Sequence, residues 1–323
     1  MLKQLVKRRY WWFAFSLATI IPGLISLALF GLRLGIDFSG GALWDVQFVQ
    51  KQPTEISADR IREIFNAQGF EGATVQLSQA QTDTGTVAAA LIRTKSLSSE
   101  NPEQQQQAIL AALTTEYGEV RREALQSVGA TVSAESTRAA VIAVIGASLA
   151  ILVYLTVAFR KAPHPLRYGI CAILAMLHDV LVVIGIASIL GHFVGLEVDA
   201  LFLTALLTII SFSVHDTIVV FDRIRENLLG RRPGESFDDI VNHSIVQTLP
   251  RSINTQLTTF FSLMALLLFG GETLRNLVLI LTIGLISGTY SSIFNAAQLL
   301  VFWEHREWRR FSGRRDETPA TAS

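Results

Sequence analysis

Ionisable groups in three apolar segments of this chain are the candidates for chemistry within the membrane. His178 and Asp179 lie near the middle of one segment, His215 and Asp216 towards the end of the next, and Arg251 at the start of a third. A charge buried in hydrocarbon costs at least about 2.5–3.5 kcal/mol on insertion scales, so each group needs a partner or a task. At about 100° per residue, Thr204, Thr208, Ser211 and His215 form one narrow polar stripe with Asp216 at its edge. Arg251, Asn254, Thr255, Thr258 and Ser262 follow i, i+3, i+4, i+7 and i+11 and form a second. Neither stripe suits lipid. A carboxylate and a guanidinium at similar depth predict an ion pair between Asp216 and Arg251, read either as a relay for protons or ions or as a static pair that fixes helix register. Asp179 is a further relay candidate or a neutral hydrogen-bonding group. Nothing fixes the distance between the two His-Asp dipeptides, so neither a metal site nor a cofactor is expected. Asp179 and Asp216 differ in depth by several residues at about 1.5 Å each, which disfavours an aspartyl-protease pair and points to a non-enzyme.

The elements that must position these groups follow from composition. Half of the 323 residues are hydrophobic and only 17% are charged, against roughly 25% in soluble domains. Apolar runs long enough to cross a bilayer recur at about Trp11 to Leu32, Arg138 to Phe159, Leu166 to Leu190, Ala200 to Phe221, Arg251 to Phe269 and Thr273 to Trp303. The first follows Lys3, Lys7, Arg8 and Arg9 and is too long for a cleavable signal, so it reads as a retained span. Lys and Arg gather at the N-terminus, at Arg160, Lys161 and Arg167, from Arg223 to Arg232 and from Arg306 to Arg315, which predicts both termini on the cytoplasmic side. The 27 basic and 27 acidic residues cancel, so no nucleic-acid partner is indicated; membrane lipid is the partner that composition itself implies. Cys171 is the only cysteine, and no internal disulfide is possible.

Between residues 33 and 137 the charge and turn density of a soluble domain return. The pattern reads strand, helix, strand, strand, helix, strand, the order of a ferredoxin-like α+β fold. The strands are expected near Ala42 to Val49, Thr74 to Gln79, Thr86 to Arg93 and Val120 to Ser127, with a polar turn at Asp83 and Gly85. One helix should bury Ile61, Ile64 and Phe65. The other should start with Asn101 as cap and Pro102 in its first turn, and bury Ile109, Leu113 and Tyr117. The expected organisation is therefore 1–32 as N-terminus and first span, 33–137 as an extracytoplasmic domain, 138–303 as five further spans and 304–323 as a cytoplasmic tail.

Four strings then narrow the family. GIDFSGG from Gly35 to Gly41, SVGATVSAES from Ser127 to Ser136, DTIVVFDRIREN from Asp216 to Asn227 and NHSIVQTLPRSINTQLTT from Asn242 to Thr259 resemble the SecF branch of the SecD/SecF family. The resemblance covers nearly the whole chain. It implies a transmembrane bundle of the RND type, a pseudo-symmetric SecD-like partner, and a place beside the Sec translocation channel. It also implies use of the proton-motive force to assist a translocating preprotein, in a bacterial plasma membrane or a thylakoid. By motif, Asp216 matches the family's intramembrane aspartate and Arg251 the arginine of its TLxR segment, both tied there to proton passage. Where relatives commonly have Asn before the aspartate this chain has His215, which titrates near neutral pH in its unperturbed form. Gly129 and Ala130 stand where a Gly-Pro is frequent. Gly35, Asp37, Gly40 and Gly41 are expected to serve structure, the paired glycines by allowing positive φ, with Asp37 as an alternative contact to the SecD-like subunit. The competing function is an RND-type exporter of small molecules or lipids, which would require two six-span halves.

Overall fold

The computed structural model describes residues 5–49, 51, 55–82, 85–98, 101–305 and 307. Along the chain run α1 (Arg9–Phe30), a single turn α2 (Ile36–Ser39), β1 (Gly41–Phe48), α3 (Ala58–Ala67), β2 (Thr74–Thr82), β3 (Gly85–Thr94), α4 (Pro102–Tyr117) and β4 (Val120–Val128). Then come α5 (Ala130–Ala158), α6 (Pro165–Phe193), α7 (Ala200–Leu229) and α8 (Phe237–Phe269). The last span is built from α9 (Glu272–Ser291), a π-helical turn (Ser292–Ala296) and α10 (Ala297–Glu304). Two compact units result, one of residues 34–141 and one of the remainder.

In the first unit the period-two pattern of β1 places Ala42, Trp44, Val46 and Phe48 on one face, all of them inaccessible to solvent. Ile61 and Phe65 of α3 and Ile109 and Leu113 of α4 close over that face. Trp44 sets its ring edge-on to Phe65 with centroids 5.6 Å apart, and its indole N–H donates to Thr94 Oγ1 at 3.1 Å. The sheet order is β2-β3-β1-β4 with every pair antiparallel, which is the ferredoxin-like arrangement expected from the element order. Asn101 stands at the N-cap position and Pro102 in the first turn, as expected, but the Asn101 side chain makes no capping hydrogen bond. Proline at the first helical position needs no donor there, so the turn forms without a capping oxygen. The turn residue Asp83 lies outside the described residues.

The chain enters β1 through Gly40 and Gly41, with φ of 72° and 124°. A Cβ on Gly41 would sit 2.6 Å from the carbonyl oxygen of Thr94, the residue opposite Ala42 on β3. Glycine is thus required both by backbone conformation and by close approach. Gly41→Ala is expected to destabilise this unit by at least about 2 kcal/mol, visible as a lowered thermal midpoint of the detergent-solubilised chain. An unchanged midpoint would show that the β1–β3 entry relaxes freely.

Among the described residues, six helical segments are long and apolar enough to cross a membrane. This is a multi-pass membrane protein. α1 lies against α6 so closely that a Cβ on Gly23 would come within 2.7 Å of the Gly185 Cα. Beside this contact, Ser26 and Ser188 hydroxyls bond at 2.9 Å. α7 packs against α6, α8 and α9, and α10 closes the end of the bundle against α6 and α8. α8 starts at Phe237, well before the apolar run that marks its span in the sequence. Ser236 caps it by accepting from Asp239 N at 3.1 Å, and the early turns are amphipathic, with Ile240, Val241, Ser244 and Ile245 turned inward.

Candidate functional site

A helix of small and hydroxyl residues can approach its neighbours closely, and the inner face of the last span does so. Ser287, Ser291, Asn295 and Gln298 are all at most 8% exposed. Gly288 lets α9 close on α7, where an added Cβ would lie 3.5 Å from Ser213. Into this interior α6 delivers Asp179 and α7 delivers Asp216.

Asp179 is wholly buried. Its Oδ1 accepts from Ser287 Oγ at 2.6 Å and faces His178 Nδ1 at 3.1 Å. Its Oδ2 accepts from Ser213 Oγ at 2.6 Å and from Ser291 Oγ at 2.5 Å. Hydroxyls of α7 and α9, together with the neighbouring imidazole, therefore fill the four lone-pair sites of the carboxylate. This joint ties three helices together at one point.

Asp216 is 3% exposed and sits one turn beyond Ser213 on the same face of α7. Gln256 of α8 donates its amide Nε2 to Asp216 Oδ2 at 2.8 Å. Ser292, the first residue of the π-helical turn, faces the carboxyl from the other side. Because Ser291 bonds Asp179 and Ser292 faces Asp216, the π turn lies where the two carboxyl environments meet. Such insertions in an α-helix are frequent at functional positions.

The expected ion pair between Asp216 and Arg251 does not form among the described residues. Arg251 is exposed and makes no side-chain hydrogen bond or ion pair among the described residues. Asp216 meets the amide of Gln256 instead. The whole stripe of Arg251, Asn254, Thr255, Thr258 and Ser262 is turned out of the bundle, as are Thr204, Ser211 and His215 of α7. The reason is rotational: α8 presents to α7 the face of Ser244, Thr248, Ser252 and Gln256, and all four of these residues are buried. That face was open to sequence reading, since its members recur every four residues, but the neighbouring stripe is richer in polar groups and carries the charge. Gly35 is buried, Asp37 is half-buried in α2 and hydrogen-bonded or paired, and both belong to the other unit.

Against known proteins, the family model described as protein export membrane protein SecD/SecF, C-terminal, matches residues 108–306, and the SecD/SecF GG motif matches residues 25–52, around Gly40 and Gly41. The chain belongs to the SecD/SecF family. A relative named protein translocase subunit SecF from Thermobaculum terrenum is 51% identical over 99% of both chains. One from Synechocystis is 39% identical over 86% of this chain and 84% of its own. The solved structure of SecDF from Thermus thermophilus, described as a translocon-associated membrane protein, superposes with a TM-score of 0.77 at 32% identity. It covers 93% of this chain, which spans only 38% of that longer one. The SecDF of Bacillus subtilis shows the same relation, 36% identical over 95% of this chain and 38% of its own. The six-span bundle is thus of the SecDF, RND-like type.

Proposed function

We propose that this chain is the SecF-type half of a translocase accessory complex that uses the proton-motive force to help move preproteins across the membrane. The observation that carries this reading is Asp216: a carboxyl buried in a family-typical bundle and met by the uncharged amide of Gln256 and the hydroxyl of Ser292. A group held this way can gain and lose a proton without breaking a salt bridge in its own chain. When it does, the charge on one side of the α7–α8 contact changes, and that contact is the two-state element to be biased.

The partner reading rests on the outward stripes. Polar side chains along α7 and α8 cannot rest against acyl chains without cost, and a second six-span half of matching polarity would cover them. In the longer relatives named SecDF, SecD and SecF share one chain. Here a separate SecD-like subunit would supply the cover, and Arg251 and His215 would lie at that interface, acting on Asp216 from the partner side. The Sec channel and the translocating preprotein are the further partners. The basic clusters support a topology with both termini in the cytoplasm and residues 33–137 on the opposite side, in a bacterial plasma membrane or in a thylakoid. Work is done by conformational change, with no bond made or broken in the preprotein. An exporter of small molecules would need the second half from the same kind of chain, and the outward stripes of α7 and α8 are not self-complementary in charge, each carrying only basic groups, His215 and Arg251.

Complementation tests this proposal. Expressed with its SecD-like subunit in cells depleted of their own SecD and SecF, the chain should restore processing of exported preproteins and copurify with that subunit. Restoration of efflux without restoration of export would instead favour the exporter.

A further inference from the structure

Between α8 and the last span runs an apolar groove of about 590 Å³. Leu249, Ile253, Leu257 and Phe260 wall it on α8, with Ile286 of α9 and Phe294 of the π turn opposite. It opens outward, since Ile253, Leu257 and Ile286 are 39%, 44% and 57% exposed. Polar groups along its walls are turned to the chain itself: Tyr290 donates to the Trp12 carbonyl, Thr289 to the Leu285 carbonyl, and Gln256 Nε2 to Asp216. The groove therefore offers hydrocarbon contact, and its occupant is to be read from its length, its face and its ends.

Leu249 and Phe260 are eleven residues apart, about 16 Å along the helix axis, which is about the hydrocarbon depth of one leaflet. At about 100° per residue, the groove-facing residues of α8 centre about 180° away from Arg251, Asn254, Thr255, Thr258 and Ser262. A partner subunit that covers this polar stripe thus leaves the groove on the opposite side of α8 to lipid.

One end of the groove carries charge. A 3₁₀ turn (Val6–Arg8) precedes α1 and reaches α8, where Asn242 Oδ1 accepts from Leu5 N at 2.9 Å. Asn242 stands two helical turns before Leu249, about 10 Å, which places this crossing in the headgroup layer. Trp12 and Phe15 of α1 carry the turn to the edge of the groove by packing on Phe294 and Tyr290, with ring centroids 4.3 and 5.0 Å apart. Lys7 and Arg8 on the turn are exposed and enter no ion pair among the described residues, whereas Arg9 beside them pairs with Glu307 and Asp238.

We propose that this groove holds the acyl chain of an anionic phospholipid from the leaflet on the side where α8 begins, with the headgroup phosphate against Lys7 and Arg8. In the proposed topology this is the inner leaflet. Two unpaired cations beside a hydrocarbon slot select for net negative charge, because a zwitterionic headgroup brings a cation of its own. The bound chain lies against Gln256, which holds Asp216, and against the π turn, whose Ser292 faces the same carboxyl. Lipid thereby packs on two of the elements that meet at Asp216.

The test uses the chain in complex with its SecD-like subunit, stripped of lipid in detergent and titrated with phosphatidylglycerol or phosphatidylcholine. Lipid retained by the complex is read by native mass spectrometry, without export or proton flux, so the outcome is independent of the relay. Tighter retention of phosphatidylglycerol is expected. Lys7→Gln combined with Arg8→Gln should weaken it about thirtyfold, the equivalent of two cations at about 1 kcal/mol each, and erase the preference. Ile253→Trp, which fills the groove, should abolish retention at this site. Equal affinity of the unsubstituted complex for the two lipids overturns the headgroup assignment, and unchanged retention in Ile253→Trp overturns the groove. If Ile253→Trp fails to assemble, Ile253→Cys carrying a thiol-linked photo-crosslinker decides, Cys171 being buried and shielded from the label. Capture of lipid is expected there, and capture of the SecD-like subunit overturns the inference.

Discussion

Asp216→Asn should lower the proton-driven rate of preprotein completion by at least about a hundredfold, the lower range for removing a positioned acid or base, while the complex still assembles. The two halves of this expectation have separate causes. The asparagine side chain is isosteric with aspartate, and its Oδ1 can accept from Gln256 Nε2 as the carboxylate does at 2.8 Å. Packing around α7, α8 and the π turn is thereby retained, and copurification with the SecD-like subunit should be unaffected. What the amide cannot do is take up and release a proton, so the α7–α8 contact loses its switch. An unchanged completion rate would remove Asp216 from the mechanism, whatever its burial.

Asp179 should fail differently. Asp179→Leu removes the acceptor shared by Ser213, Ser287 and Ser291, whose hydroxyls bond it at 2.6, 2.6 and 2.5 Å. An orphaned buried donor costs about 1–3 kcal/mol, which for the set approaches about 6 kcal/mol. Two effects reduce that figure. Serines in helices can turn to a carbonyl of their own helix, as Ser291 already approaches Gly288 O at 3.3 Å, and leucine adds apolar packing. A net loss of about 3 kcal/mol remains, enough to lower the amount of assembled protein and its thermal midpoint. Asp179→Asn keeps one acceptor and should cost about 1 kcal/mol. If both variants prove as stable as the parent, the joint between α6, α7 and α9 is not a structural one.

How much of this was legible in the sequence depends on what each residue reports. Span length and basic clusters depend on local composition, so six membrane segments can be read directly. The α+β domain is legible for the same reason: Trp44 and Phe48 alternate, Ile61 and Phe65 recur at helical spacing, and that element order is the ferredoxin-like one. The rotation of α8 about its axis is not local. Two polar stripes lie on this helix, and a sequence offers no measure of which one turns inward. The charge on Arg251 favours the outer stripe in any reading by polarity, whereas the structure buries the uncharged one. A long-range choice of this kind is made by packing. Ser252 and Gln256 fit against α7, while a guanidinium there would have to be desolvated beside Asp216 without room for its five donors. The serine cage of Asp179 was hidden likewise, because Ser213, Ser287 and Ser291 come from two helices far apart in sequence.

Whether Asp216 changes its protonation inside the assembled complex is open to infrared difference spectroscopy, comparing the complex equilibrated at alkaline and at acidic pH with its Asp216→Asn variant. Expected is a carboxylic C=O band that appears on acidification and is missing from the variant. Identical difference spectra for the two proteins would contradict a titrating carboxyl at this position, and with it the proton-driven switch between α7 and α8.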